Sequence, residues 1–228
     1  FDRRTVSLDL SGEIDLRQRL KKNARSMISR SMRDGVEITP ADLDKEFKQF
    51  VDIYQKTMNR VSAETFYFFD EGYFDRLREL IRASGMLVLA KLAGEIAAAA
   101  VFVKGEHWLH YHLSATNPDH FHPGATNALI LYAAEIGRAD GSECLHLGGG
   151  KTKDADDSLF RFKRRMATTE HDFWIGKRIH HVDAYDQIRD HWRRCNEKSA
   201  AEYKNRILCY RYFDETIGMI DHAKANYD

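Results

Sequence analysis

The sequence predicts an α/β fold, α+β in the order of its elements, with a mixed central sheet flanked by helices. Three observations carry this. Of the 228 residues 43% are hydrophobic, which permits a sizeable core and argues against wholesale disorder. Helical periodicity fills the first third of the chain and then gives way near Gly85 to three consecutive strand-like runs. A strand-like run, an Ala/Leu-rich helical run and another strand-like run then follow, and such a unit closes as a right-handed crossover between parallel strands.

The elements follow in order. Residues 5–10 alternate weakly and read as a short strand, and Ser11-Gly12-Glu13 offers a turn. From Glu13 to about Asp34 the pattern is one helix, with Ile14, Leu16, Leu20, Met27, Ile28 and Met32 apolar and the rest strongly basic; Gly35 is its natural C-cap. Residues 36–38 are a brief extended piece. Thr39-Pro40-Ala41-Asp42 opens the next helix, Pro being allowed in a first turn, and that helix ends near Arg60. Residues 61–69 are aromatic-rich and irregular, and a helix from about 70 to 83 stops at Gly85.

Residues 86–92, 95–104 and 106–115 read as an antiparallel meander, with Ala93-Gly94 and Gly105 as its turns. A loop precedes a helix over 124–140 capped by Gly141, then a strand over 143–147 and Gly148-Gly149-Gly150. A short helix around 157–163, a strand over 168–175, and helices at about 183–194 and 198–211 complete the pattern.

Charge narrows the function classes. Lys plus Arg is 35 and Asp plus Glu is 35, so a globally basic nucleic-acid binder and an acidic tail are both disfavoured, and phosphate binding falls to local patches. No apolar run approaches the ~18–20 residues of a membrane span. Cys144, Cys195 and Cys209 are too few and scattered for a disulfide framework and fit a reducing cytoplasm. The chain begins at Phe1 without an initiator Met, as a fragment of a longer chain would.

Four groups of residues could carry chemistry. The helix start Pro123-Gly124-Ala125-Thr126-Asn127 offers unpaired N–H groups to a phosphate or carboxylate, and reads equally as an ordinary Pro/Gly helix start. Gly148, Gly149 and Gly150 leave the strand end bare to a ligand, or simply permit a turn; their spacing fits no Walker or dinucleotide pattern. Phe160 to Arg165 interleaves two aromatics with four cations, which suits phosphate binding or a solvated charged face. Histidines 107, 110, 112, 120, 122 and 146 lack a carboxylate or thiolate at metal-ligand spacing, so ring packing and hydrogen bonding are expected and no metal. The pair His112 and Ser114 lacks a nucleophile-elbow sequence.

Several segments occur together in a familiar order: LHYHLSAT, GATNALILYAAEIGRADG, CLHLGGG and DSLFRFKRRM, preceded by LRQRLKKNARSMISRSMRDGVEI and FVDIYQKTMNRVSAETFYFF and followed by FWIGKRIHHVDAY and CYRY. This set resembles the GNAT-like domain of the FemABX peptidyltransferases, in particular the armless, FemX-like members, over about residues 5–212. The resemblance implies a GNAT-like (acyl-CoA N-acyltransferase) fold in one domain over 1–228, with an N-terminal helical part at about 11–84 and C-terminal helices at about 183–212. Members commonly hold two such halves, so an N-terminal half of a longer parent chain is expected to be missing.

The resemblance implies a function as well: transfer of an amino acid from aminoacyl-tRNA to an amine of a peptidoglycan stem peptide, in the cytoplasm, with no cofactor. Its partners would be aminoacyl-tRNA and a UDP-MurNAc-peptide or lipid-linked precursor. The family's Phe-Lys pair falls on Phe162 and Lys163, with Lys163 at the developing oxyanion or the tRNA terminus. Arg60 falls where the family grips the precursor's phosphate. Tyr111, His112, Ser114 and Gly148–Gly150 would line the acceptor site. Gly124, Ala125, Thr126, Asn127, Arg161 and Arg164 would hold the donor, and Arg25 and Arg30 of the basic helix would touch tRNA backbone or merely face solvent.

The acetyl-CoA loop of this superfamily is degraded here to Asp119-His120-Phe121-His122-Pro123-Gly124-Ala125, with one glycine left and a donor removed by Pro123. That disfavours the alternative, a coenzyme A-dependent N-acyltransferase acting on a sugar or small amine in polysaccharide biosynthesis. A non-catalytic module that binds nucleic acid or protein on the same scaffold is the third reading.

Overall fold

The structure, a computed structural model, describes residues 1–214. Its contacts divide the chain into two units, Phe1–Trp174 and Ile175–Asp228. The expected domain span of 1–228 therefore ends outside the described residues.

Seven strands build the first unit: β1 (Arg3–Asp9), β2 (Val36–Pro40), β3 (Gly85–Leu92), β4 (Glu95–Lys104), β5 (Trp108–Thr116), β6 (Cys144–Gly148) and β7 (Thr169–Phe173). They form one sheet in the order β2-β3-β4-β5-β6-β1-β7. The meander β3-β4-β5 is antiparallel. Strands β5 and β6 run parallel, as expected, but pair only from Trp108↔Cys144 to His110↔His146. Helix α5 (Ala125–Ala139) joins them. Beyond His110 the two strands part, and this opening organises the molecule.

Two apolar layers sandwich the sheet. On one face Leu145, Leu147, Val6, Leu8 and Leu109 pack with α1 (Leu16–Arg19), α2 (Lys22–Arg33), α5 and α6 (Ser158–Arg165). Helix α5 is apolar nearly all round because it lies beneath other helices as well as on the sheet. Fully burying a side chain such as Leu129 stabilises the fold by about 1.5–3 kcal/mol. The second layer joins α3 (Phe47–Arg60) and α4 (Glu71–Ser84) to Leu87, Leu89, Val101 and Ala115. Tyr54 is its anchor: the ring is buried and its hydroxyl donates to the Tyr67 carbonyl at 3.0 Å.

Within the first unit the structure differs from the sequence pattern in three places. The single helix over 13–34 is two, because Leu20 turns extended to bury its side chain and the Lys21 N–H donates to the Arg165 carbonyl at 3.1 Å. Pro40 closes β2 instead of opening a helix; α3 starts only at Phe47, after turns in which the Asp42 N–H donates to the Glu46 carboxylate. Gly85 caps α4, as expected, and also begins β3, where only hydrogen fits, since a Cβ would lie 2.6 Å from the Phe102 carbonyl oxygen. Strand β1, isolated in the sequence pattern, sits inside the sheet between β6 and β7.

In the second unit, α7 (Val182–Cys195) and α8 (Glu197–Tyr203) pack around Trp192, whose indole N–H donates to the Tyr212 carbonyl at 2.6 Å. The helix expected over 198–211 ends at Tyr203, and a 3-10 turn at Cys209–Arg211 follows.

Candidate functional site

The parting of β5 from β6 is prepared from both sides. On β5, the register with β4 shifts so that Val101 faces Leu113 and Phe102 faces Tyr111, leaving His112 as the extra residue of a bulge. Such a bulge bends the strand and re-aims its side chains. Tyr111 therefore packs against the layer that holds α5, while Leu113 and Ala115 join the layer of α3 and α4. On β6, the strand ends at Gly148 with φ +77, a left-handed conformation that side chains other than glycine's adopt at a cost.

Helix α6 then carries Lys163 back to this opening. The helix starts at Asp157, whose carboxylate accepts from the N–H groups of Phe160, Lys151 and Thr152. Burial works against that carboxylate's charge, but these N–H groups outweigh it and hold Asp157 below its ordinary range. Phe160 anchors the helix in the core. Lys163 reaches past Gly148 and donates its Nζ proton to the Gly149 carbonyl at 2.9 Å. Its ammonium lies 5.7 Å from the centre of the Tyr111 ring. Burial pulls Lys163 down to about 8, opposed only in part by the Asp157 charge.

Around that ammonium stand neutral groups. Burial pushes the Tyr111 phenol up to about 12, although a hydrogen bond with Ser114 works the other way. Burial pulls the His146 imidazole down to about 4, helped by its neighbours His110, His171 and Lys163. At neutral pH the opening thus holds one mobile positive charge, Lys163, among an uncharged phenol, an uncharged imidazole and backbone carbonyls. Such an ammonium, with spare N–H donors in a poorly hydrated site, can meet a developing oxyanion or hand a proton to a leaving oxygen.

The structure brings some expected site residues together and separates others. Lys163, Tyr111, Ser114, Gly148 and Gly149 meet at the opening. Phe162 packs against the core, and a phenyl ring has no proton or charge to give. His112 accepts or donates a hydrogen bond with the Tyr73 hydroxyl at 3.0 Å on the α4 side. Arg60 donates to the Thr116 hydroxyl at 2.7 Å, at the far end of β5. Gly150 is glycine because a Cβ would overlap the Asp157 carboxylate.

The α5 start is packed, not presented. A Cβ on Gly124 would overlap the Met27 carbonyl oxygen of α2. The Gly124 N–H donates to His122 Nδ1 at 3.1 Å and the Ala125 N–H to the His122 carbonyl at 3.2 Å. Gly124, Ala125 and Asn127 are buried, Thr126 is half-buried, and the Asn127 amide turns inward to the Met166 sulfur. Arg161 and Arg164 project from the face of α6 away from Lys163.

Sequence reasoning does not assign His146 or Asp157 to the site. Asp157 has a visible signal, an N-cap carboxylate three residues before Phe160. His146 has none, because only the tertiary fold brings it near Lys163. Among the described residues no group of His, Cys, Asp and Glu is arranged to hold a metal ion, and Cys144, Cys195 and Cys209 are free thiols. No described helix is long and apolar enough to cross a membrane.

The family described as acetyltransferase (GNAT) domain matches residues 15–164, two thirds of the chain and inclusive of Lys163. No curated protein matches the sequence. Among solved structures, FemX superposes with a TM-score of 0.62 at 14% identity, covering 75% of this chain and 61% of FemX. The C-terminal domain of a putative lysylphosphatidylglycerol synthetase from Agrobacterium fabrum gives 0.50 at 20% identity, over 72% of this chain and 52% of that one. An aminoglycoside acetyltransferase from an uncultured soil metagenomic sample gives 0.51 at 15% identity, over 65% of this chain and 98% of that one. At these identities the likeness is one of fold, and the chain spans only half to two thirds of the first two.

Proposed function

The chain belongs to the GNAT acetyltransferase domain family and is an acyltransferase by that membership, and from this premise we propose that its acyl donor is an aminoacyl-tRNA and its acceptor an amine of a peptidoglycan precursor. The observation that carries the choice of donor is the closed start of α5. Coenzyme A bound there would need the N–H groups of Gly124 and Ala125 for its pyrophosphate, and both are bonded to His122 beneath α2. The likeness in fold to FemX supports the same reading.

The acceptor amine attacks the ester carbonyl carbon, a C–N bond forms, and the ester C–O bond breaks. The amine's proton leaves and the terminal ribose oxygen takes one up. Lys163 donates to the oxyanion of the tetrahedral intermediate and, with its pKa near 8, readily passes a proton to the departing oxygen. The bent end of β5 and the Gly148 turn hold the reacting groups in line. Cytoplasmic placement and a lack of any cofactor belong to this same reading.

A second reading has its own support. The matching family is described as an acetyltransferase, and the aminoglycoside acetyltransferase shares the fold over nearly its whole length. Thermal shift separates the two. Stabilisation by an aminoacyl-tRNA analogue or a UDP-linked muropeptide, with none by acetyl-CoA, is the expected result. Micromolar acetyl-CoA affinity by calorimetry overturns it in favour of the second reading.

A further inference from the structure

The geometry points to a phosphate-binding site on the face of α6 turned away from Lys163. A cavity of about 420 Å³ opens there, lined by Lys21, Arg161, Arg164, Arg165, Thr169 and Glu170 among others. Four cations thus face one carboxylate. Glu170 is already engaged, by Arg164 at 2.5 Å and by Arg4 at 3.4 Å. Among the described residues, no ion pair or side-chain hydrogen bond takes up Lys21, Arg161 or Arg165. Three cations with all their donors spare therefore converge on one concavity.

Ordinary helix electrostatics explains only part of this. The end of α6 favours cations in its last turn, which covers Arg164 and Arg165. Arg161 stands nearer the positive start of the helix, where the dipole disfavours it. Lys21 comes from a different element and is delivered by the break between α1 and α2. That break is held in register by the hydrogen bond from the Lys21 N–H to the Arg165 carbonyl. An unbroken helix over 13–34 could not make this bond.

The chemistry selects phosphate. Planar guanidinium forks match phosphate oxygens two at a time, and a lysine adds a point charge. A volume of about 420 Å³ is larger than a lone carboxylate needs and suits a diphosphate or adjoining phosphodiesters. The residues are separate from the transfer centre. On α6, Arg161 and Arg165 share one face, and Lys163 lies about 200° round the helix from Arg161. The site goes beyond the proposed transfer and stands whichever acyl donor is used.

The test uses the whole chain and two probes, inorganic pyrophosphate and a short single-stranded RNA. Binding is measured for wild type, for Lys21→Ala/Arg161→Ala/Arg165→Ala, and for Lys48→Ala as an exposed cation elsewhere. The expected result is a loss of about tenfold or more in the triple variant and none in Lys48→Ala. Melting temperatures within a degree or so of wild type would confirm folding, and the single variant Arg161→Ala, which breaks no described ion pair, provides a second reading of the same loss. For RNA, the slope of log affinity against log salt should fall by about 2, at ~0.7 for each phosphate no longer neutralised. Binding of pyrophosphate alone assigns the site to a compact phosphorylated ligand, and binding of RNA assigns it to a nucleic-acid backbone. Equal affinity in all the proteins, or no binding of either probe to wild type, overturns the site. These readouts are binding and not transfer, so an error in the proposed reaction would leave them unmoved.

Discussion

At the start of α5 and at the end of β6 the sequence places glycines in comparable settings, each at the junction of a regular element and a loop, and the fold uses them in opposite ways. Gly124 admits the chain's own α2, and the two N–H groups beside it are spent on His122. Gly148 and Gly149 turn the backbone at the parted strands, and the Gly149 carbonyl holds an ammonium that is pulled down to about 8. A glycine reports that something approaches the backbone closely. Whether that is a ligand or another helix is decided by what the rest of the fold delivers to the spot. At β6 it delivers a half-buried cation with spare donors, at α5 a carbonyl oxygen.

The largest expected effect breaks the comparison at the β6 end. Lys163→Met should lower the transfer rate by about 10²-fold or more, the range for loss of one oxyanion donor. Lys163 is no freely solvated surface lysine, because it is half-buried and hydrogen-bonded. Met keeps the length of the chain and removes a poorly hydrated charge, so stability at neutral pH should hold or rise. Arg165→Ala, on the other face of α6, is the comparison. A wild-type rate in Lys163→Met sinks the assignment, and a collapsed denaturation midpoint makes the residue structural.

Next comes the α5 end. In Gly124→Ala the new methyl overlaps the Met27 carbonyl, and overpacking of this kind costs about 1–3 kcal/mol. The denaturant midpoint should fall while the rate per folded molecule holds. The opposite pattern, intact stability with weaker donor binding, would show that the helix start holds the donor after all. A smaller change is expected for His122→Ala. His122 accepts from the N–H of Gly124, the N-cap of α5, and reaches Asp34 at 3.1 Å, and the loss of a hydrogen bond of this kind costs about 1 kcal/mol. A melting temperature unchanged from wild type would mean that the α5 start is not held shut by His122.

Much of the fold is legible in the sequence because its signals are local. The meander, the crossover and α4 to α6 follow from alternation, periodicity and Gly or Asp caps within a few residues of each boundary. What the sequence hides depends on distant partners. The break at Leu20 exists because Arg165, far along the chain, offers a carbonyl to Lys21. The place of β1 between β6 and β7 is a choice of sheet neighbours that no strand carries in its own sequence. The site divides in the same way. Lys163 and Tyr111 are legible through the family resemblance, whereas His146 joins them only in three dimensions. Arg161 and Arg164 announce a cationic surface in the sequence, but the helix turns them from the opening.

The last effect is read on stability alone, and it follows from the proton on Lys163. In the unfolded chain this lysine titrates at its ordinary 10.5, and in the folded protein at about 8 because of burial. Below about pH 8 both states hold the proton, and the cost of the buried charge is constant. Between about pH 8 and 10.5 the unfolded state binds more protons than the folded one, so the contribution of Lys163 to stability rises with pH. Above that window both states are neutral and the cost is gone. Wild type should therefore gain on Lys163→Met as pH climbs through this range, read as the difference between their urea midpoints. Other titrating groups are common to both proteins and cancel in the difference. A flat difference would mean that Lys163 is solvated at the end of β6, and the opening would then lack the poorly hydrated ammonium that sets it apart from the α5 start.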